Sequence, residues 1–427
     1  MWNLRIEGEA TVWPQFRRVT QVMKGLQEVD PARAVVDQWP TVRTEIKAGK
    51  TYALGVGSRG IRSIALIVKQ VIDLIRAEGA DAVIIPAMAS HGGATAAGQR
   101  EVLAALGITE ATMGVAIDDD MAVEEVARLN DGTPLYFSRA ALSRDGVIPI
   151  NRVKPHTDFH GPHESGLCKM LVIGFGKHVG AASVHRRGFT EFHRVLPEAG
   201  ELLLRRVPVP CGVAVVENGR EETARIRVLP KALMLAEERA LLDEAREWMA
   251  RLPFQHVDLL VVGRLGKNLS GSGMDPNVTG RWISRAATGG LEATRLTVLN
   301  LTPETHGNAI GVGAADTIPR HLFESIDWEK TYLNGLTSTE LAGARIPMVL
   351  ENDRQAVEAA IRAINGRTPA QGRVVVIRDT LSVEEFAISE GLADEADRLG
   401  LTPHGPWEPI CFDADGSLPS VAGISLR

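Results

Sequence analysis

Apolar positions between residues 51 and 117 switch repeatedly between two periods. Tyr52-Ala53-Leu54-Gly55-Val56-Gly57 is a short continuous apolar run, the pattern of a strand buried on both faces. Over 61–80 the apolar residues recur at helical spacing, with Ile61, Ile64, Leu66, Ile67, Val71, Ile72, Leu74 and Ile75 on one broad face. Residues 81–86 predict a second strand. Residues 95–106 predict a second helix, capped by Thr95 and stopped by Gly107, and 112–117 predict a third strand. This βαβαβ rhythm predicts an α/β architecture, a largely parallel sheet flanked by helices. A further strand over 146–150 delivers the chain into Asn151-Arg152-Val153-Lys154-Pro155-His156.

A long charged helix over 232–251 ends at Leu252-Pro253, and a new strand begins at Asp258. The expected division is therefore an N-terminal cofactor-binding and catalytic domain, 1–252, and a C-terminal α/β domain, 253–427. The second domain predicts strands at 258–263, 295–301 and 373–378, helices at 353–364 and 382–398, and the glycine-rich loop Gly266-Lys267-Asn268-Leu269-Ser270-Gly271-Ser272-Gly273. Ligands of open α/β sheets bind beyond the carboxyl ends of strands. The expected active site is thus an interdomain cleft lined by the loops after 81–86 and 146–150.

Composition narrows the classes. A chain of 427 residues suits two domains and buries enough core to need no disulfide staples. Cys168, Cys211 and Cys411 form no CxxC pair, which sets aside zinc fingers and thiolate clusters and fits a reducing cytosol. Met1-Trp2-Asn3-Leu4-Arg5-Ile6-Glu7 lacks a signal-peptide pattern, and no apolar run reaches the ~18 residues of a membrane span. A cytoplasmic protein without a membrane partner is expected. The net charge of −6 argues against nucleic acid as a partner.

Five of the chain's eleven histidines fall between 156 and 185, in a stretch punctuated by glycine and proline. Two readings follow from the residues alone. One is a mononuclear metal site with histidine ligands; the other is a pair of acid/base histidines around an anionic substrate. The spacing matches neither HExxH nor an EF-hand loop. Gly57-Ser58-Arg59-Gly60, between a strand and a helix, suits a phosphate or carboxylate, and Lys267 suits an anionic group of substrate or cofactor. Asp118-Asp119-Asp120 reads as a solvated turn.

Lys154-Pro155-His156-Thr157-Asp158-Phe159, then Glu164-Ser165-Gly166-Leu167-Cys168-Lys169-Met170, then Gly174-Phe175-Gly176-Lys177-His178, continuing to His185, together resemble the signature of the lactate racemase family. These are nickel-pincer-nucleotide-dependent 2-hydroxy acid racemases and epimerases. Ser90-His91-Gly92-Gly93 is similar to the family's histidine after a strand. The resemblance covers most of the first domain and, more weakly, the second.

The resemblance implies an isomerase that inverts the C2 carbinol of a 2-hydroxy acid. It implies a pyridinium dithio-acid mononucleotide carrying nickel, attached covalently to Lys169, with His185 completing the metal's coordination. It implies His91 and His156 as the acid/base pair, Arg59 near substrate or cofactor, and dependence on cofactor-synthesis enzymes; Ser58, beside Arg59, is a cofactor-binding candidate from its place between strand and helix. The chemistry needs these types. Hydride removal leaves a flat 2-keto acid that is re-reduced on either face, so each enantiomer needs its own base. An amine forms an amide with an acid or thioacid arm, and imidazole suits nickel.

Three rivals remain at this level. One is a zinc- or iron-dependent hydrolase or lyase using the same histidines. Another is a non-catalytic nucleotide- or acid-binding protein. The third is a nicotinamide-dependent dehydrogenase, since Gly55-Val56-Gly57-Ser58-Arg59-Gly60 has the GxGxxG spacing. The next strand, however, ends in Ile85-Pro86-Ala87-Met88, without the acidic residue that holds the ribose.

Overall fold

The first described strand, β1 (Gln15–Thr20), pairs antiparallel with residues 385–389 on one side and 402–409 on the other. The computed structural model describes residues 11–27, 29–58 and 61–427. The chain divides into two compact units: Lys24–Met249, and Ala250–Arg427 joined by the segment ending at Met23. The expected domain of 1–252 differs from the first unit at its start. The reason lies in β1, which buries Phe16 and Val19 in the second unit's core and fills a slot in that unit's sheet.

In the unit Lys24–Met249 the strands are β2 (Thr51–Val56), β3 (Asp81–Pro86), β4 (Gly146–Arg152), β5 (Cys211–Glu217) and β6 (Thr223–Pro230), in spatial order β3-β2-β4-β5-β6. The first four are parallel and β6 is antiparallel. Helix α1 (Ile64–Ala77) covers the sheet with Ile64, Ile67, Val68, Val71, Ile72 and Ile75, all buried. Each such side chain contributes roughly 1.5–3 kcal/mol by leaving water. Helix α2 (Ala96–Ala105) is capped by Thr95, whose hydroxyl accepts from the Gly98 N–H. The expected strand over 112–117 is instead a helical turn, Glu110–Met113, with one bridge from Ile117 to Ile84. A reciprocal Thr109–Thr112 cap and a left-handed Gly114 favour the turn over a strand.

The chemistry-bearing segment contains α3 (Leu167–Lys169), a π-helical turn (Met170–Gly174), α4 (Lys177–His185) and α5 (Phe192–Arg206). Helix α6 (Met234–Trp248) closes the unit.

The second unit holds an eight-stranded sheet. Its strands are β7 (His256–Leu265), β8 (Glu292–Leu301), β9 (Thr317–Pro319), β10 (Met348–Leu350), β11 (Val374–Ile377), β12 (Glu385–Ser389) and β13 (Thr402–Pro409), with β1 between β12 and β13. The run β10-β9-β8-β7-β11 is parallel; β12, β1 and β13 add antiparallel. The expected helix over 382–398 is β12 followed by a short helix, Ala393–Arg398. Phe386, Ala387 and Ile388 are all buried, and pairing on both edges overrides the helical propensity of the flanking acidic residues. Among the described residues no single helix is long and apolar enough to cross a membrane.

Candidate functional site

Of the expected site residues of the first unit, Ser58 follows β2, and His91, His156, Lys169 and His185 sit in two loops and two helices that follow β3 and β4. After β3 the chain turns sharply through Ala89 at φ 54° and Gly92 at φ 65°. Gly92 is required there, because a Cβ would lie 2.5 Å from the backbone of Gly98 at the start of α2. The turn presents His91 at the surface, with its Nδ1 hydrogen-bonded to the Ser58 hydroxyl beyond β2. The buried Gln99 amide donates to the carbonyls of Ala89 at 2.9 Å and His91 at 3.3 Å. Gln99 in turn accepts, at 3.3 Å, from the ammonium of Lys177, which also donates to the Pro86 carbonyl at 2.7 Å. Lys177 is the first residue of α4, fully buried and left-handed at φ 51°. Burial pushes its pKa down to about 8, against the opposing charges of Asp118, Asp119 and Asp120. The acidic run is therefore more than a solvated turn; it faces a buried cation.

After β4 the chain forms a loop whose neck is closed by two backbone hydrogen bonds between Lys154 and Ser165, at 3.0 and 3.1 Å. Inside it the buried Glu164 carboxylate accepts from the His156 N–H at 2.5 Å, the Gly161 N–H at 3.2 Å and Arg246 Nη2 at 2.7 Å. The Asp158 N–H donates to His156 Nδ1 at 3.0 Å, so the neutral ring carries its proton on Nε2. His156 packs on Phe159, with ring centroids 4.4 Å apart, and lies 6.0 Å from Phe189. Lys169 Nζ is 5.8 Å from the Phe159 ring centre. His185, at the end of α4, lies 5.3 Å from Phe192 and 5.7 Å from Phe189. Phe159, Phe189 and Phe192 contact one another, so Lys169, His156 and His185 meet on one aromatic cluster.

His185 Nδ1 donates to the Ala181 carbonyl at 2.6 Å, leaving the Nε2 lone pair available. Burial lowers its pKa, the Lys169 charge lowers it further, and the Ala181 hydrogen bond opposes both. A neutral imidazole with a free Nε2 is the form that ligates a metal.

His160 Nδ1 lies 3.4 Å from Glu164, and His178 is exposed on α4. His163, Cys168 and Glu238 are all buried and place donor atoms within 4.8 Å of one another. Their hydrogen bonds show what the group does without an ion. Glu238 accepts from His163 Nδ1 at 2.9 Å and from the N–H groups of Leu167 and Cys168 at 2.5 and 3.0 Å. Burial, and then the Glu238 charge, push the Cys168 thiol well above its usual range, so it is inert.

Lys267 belongs to the second unit. It is exposed on the loop after β7, and its ammonium meets the Asn334 side-chain oxygen. Arg59 lies outside the described residues. Glu164, Glu238, Arg246, Phe189 and Phe192 were not anticipated. One signal for Glu238 existed: it occupies the face of α6 shared by Met234, Leu241, Leu242 and Ala245, an acidic residue in an apolar stripe.

No model of a known protein family matches the sequence, and no curated protein matches it. The fold is a different matter: it is the mixed α/β architecture of lactate racemase. One similar solved structure is that of the lactate racemase apoprotein from Thermoanaerobacterium thermosaccharolyticum, with a TM-score of 0.50 at 12% identity, spanning 83% of this chain and 93% of that one.

Proposed function

We propose that the protein inverts the C2 carbinol of a 2-hydroxy acid, using a nickel pincer nucleotide attached to Lys169. The observation that carries this reading is the convergence of Lys169, His156 and His185 on the cluster of Phe159, Phe189 and Phe192. The residues fit the cofactor. Lys169 offers an amine beside an aromatic face, and His185 offers a neutral imidazole whose Nδ1 proton is already committed. When bound, the nucleotide supplies a hydride acceptor for the hydrogen on C2.

The chain's own residues handle protons and position. His156 acts through Nε2: as the imidazolium it gives that proton to an oxygen and keeps the other on Nδ1, 3.6 Å from the Asp158 carboxylate. His91, tied through Nδ1 to Ser58, is the second member of the pair. In either direction one imidazole begins as acceptor and the other as donor, so the pair shares one proton. Ser58 and Arg59 hold anionic groups of substrate or cofactor. The buried phenylalanines keep water from one side of the site.

The test uses protein co-produced with the cofactor-synthesis enzymes and single enantiomers of lactate, malate, 2-hydroxyglutarate and aryl lactates. Chiral chromatography should show one pair interconverting. Protein made without those enzymes should be inactive; turnover in that preparation would sink the cofactor assignment.

A further inference from the structure

We infer that Glu238 is a positioning residue for Lys169, an inference that rests on reading Lys169 as the point of cofactor attachment. Lys169 is the third residue of a helical stretch that begins after Gly166. Helix starts leave N–H groups without partners, and a capping side chain usually satisfies one of them. Gly166 has no side chain and makes no cap. The cap comes instead from α6: Glu238 Oε2 accepts from both the Leu167 and Cys168 N–H groups. Its other oxygen accepts from His163 Nδ1, so the carboxylate is held in one orientation.

Three further observations make this arrangement specific. Glu238 and His163 are each 1% exposed, so water does not replace either. Among the described residues His163 Nε2 has no hydrogen-bond partner, so the ring is anchored through Nδ1 on Glu238. A Cβ at Gly166 would lie 2.7 Å from the Glu238 carboxyl carbon, so the missing side chain makes room for the distant cap. A buried anion on a helix N-terminus is a strong, directional contact. With its first two N–H groups fixed, the helix fixes where its third residue leaves the backbone, and so where the Lys169 amine meets Phe159.

The test measures Lys169 reactivity on the full-length apoprotein. Limiting N-acetoxysuccinimide acylates exposed amines, and peptide mass spectrometry reports Lys169 relative to Lys47 and Lys231, both exposed in the same unit. Glu238→Ala should raise the relative Lys169 rate about tenfold, the scale of one lost charge-assisted hydrogen bond. Glu238→Gln keeps an oxygen for the two N–H groups and should return the rate to within about threefold of wild type. A purely structural role would lower thermal stability and leave the lysine ratio alone. An unchanged ratio in folded Glu238→Ala overturns the inference. Should that variant not fold, Gly166→Ala, which displaces the carboxylate from the opposite side, decides by the same ratio. The measurement needs no cofactor. Its failure is therefore distinct from failure of the functional reading, which would show as wild-type protein, co-produced with the synthesis enzymes, lacking any nucleotide on Lys169.

Discussion

His156 and His91 follow β4 and β3, the strands on either side of β2 in one sheet, yet their loops are built differently. The His156 loop is closed at its neck by Lys154 and Ser165, filled by the Glu164 carboxylate, and fixed in one ring tautomer by the Asp158 N–H. The His91 loop is held through its carbonyls by Gln99 and Lys177, while the imidazole itself is exposed and meets the Ser58 hydroxyl. One histidine is fixed as a side chain; the other is carried on a fixed backbone. A hydroxyl either donates or accepts, so His91 retains both neutral tautomers, whereas His156 is held in one. The pair is therefore asymmetric before any substrate arrives.

The largest expected effect breaks the arrangement on the His156 side. His185→Ala should remove nickel from protein co-produced with the cofactor-synthesis enzymes and abolish racemisation. Metal analysis of the purified variant checks this, and full nickel occupancy would remove His185 from the metal site. Next come His91→Asn and His156→Asn, each expected to slow racemisation by about 10²–10⁴-fold, the usual worth of a general acid or base. The comparison predicts that only His156→Asn also lowers thermal stability, by about 1 kcal/mol, through its lost aromatic stack and Nδ1 acceptor. Equal stability losses in the two variants would erase the asymmetry.

Smaller effects sharpen the same contrast. Glu164→Gln weakens the grip on the His156 N–H and the Arg246 pair, and should slow turnover about tenfold, the scale of one charge-assisted hydrogen bond. Its KM should move less than its kcat. On the His91 side, Lys177 is the lever. Its pKa falls from 10.5 to about 8 on folding, so between those values the unfolded chain binds more protons. Stability from this group therefore rises as pH climbs from about 8 towards 10.5, and below 8 the buried charge costs its full amount. Denaturant melts of wild type minus Lys177→Met should show this slope, up to about 3 kcal/mol across the interval. A flat difference would mean that Lys177 titrates alike in both states.

Much of this was legible in the sequence, for identifiable reasons. The runs at 51–56 and 81–86 and the helix at 64–77 follow from uninterrupted apolar faces that only one secondary structure can bury. The strand at 385–389 was not legible, because its pairing partners are β11 and the distant β1. The site divides the same way. Lys169, His156 and His185 are marked by a long local motif. Phe189 and Phe192 look like ordinary core, Arg246 looks like a surface charge on a helix, and Glu238 shows only as an acidic residue in an apolar stripe, until folding brings them onto the histidine-rich loop. Local pattern names the reacting groups, whereas the residues that aim them are set by tertiary contacts.

The central claim is that Lys169 carries a nickel pincer nucleotide. Intact-protein and peptide mass spectrometry, with metal analysis of the same sample, tests it on protein co-produced with the cofactor-synthesis enzymes. The account predicts a nucleotide-sized adduct on the peptide containing Lys169, with nickel present. An unmodified Lys169, under conditions that load a known lactate racemase, would contradict it.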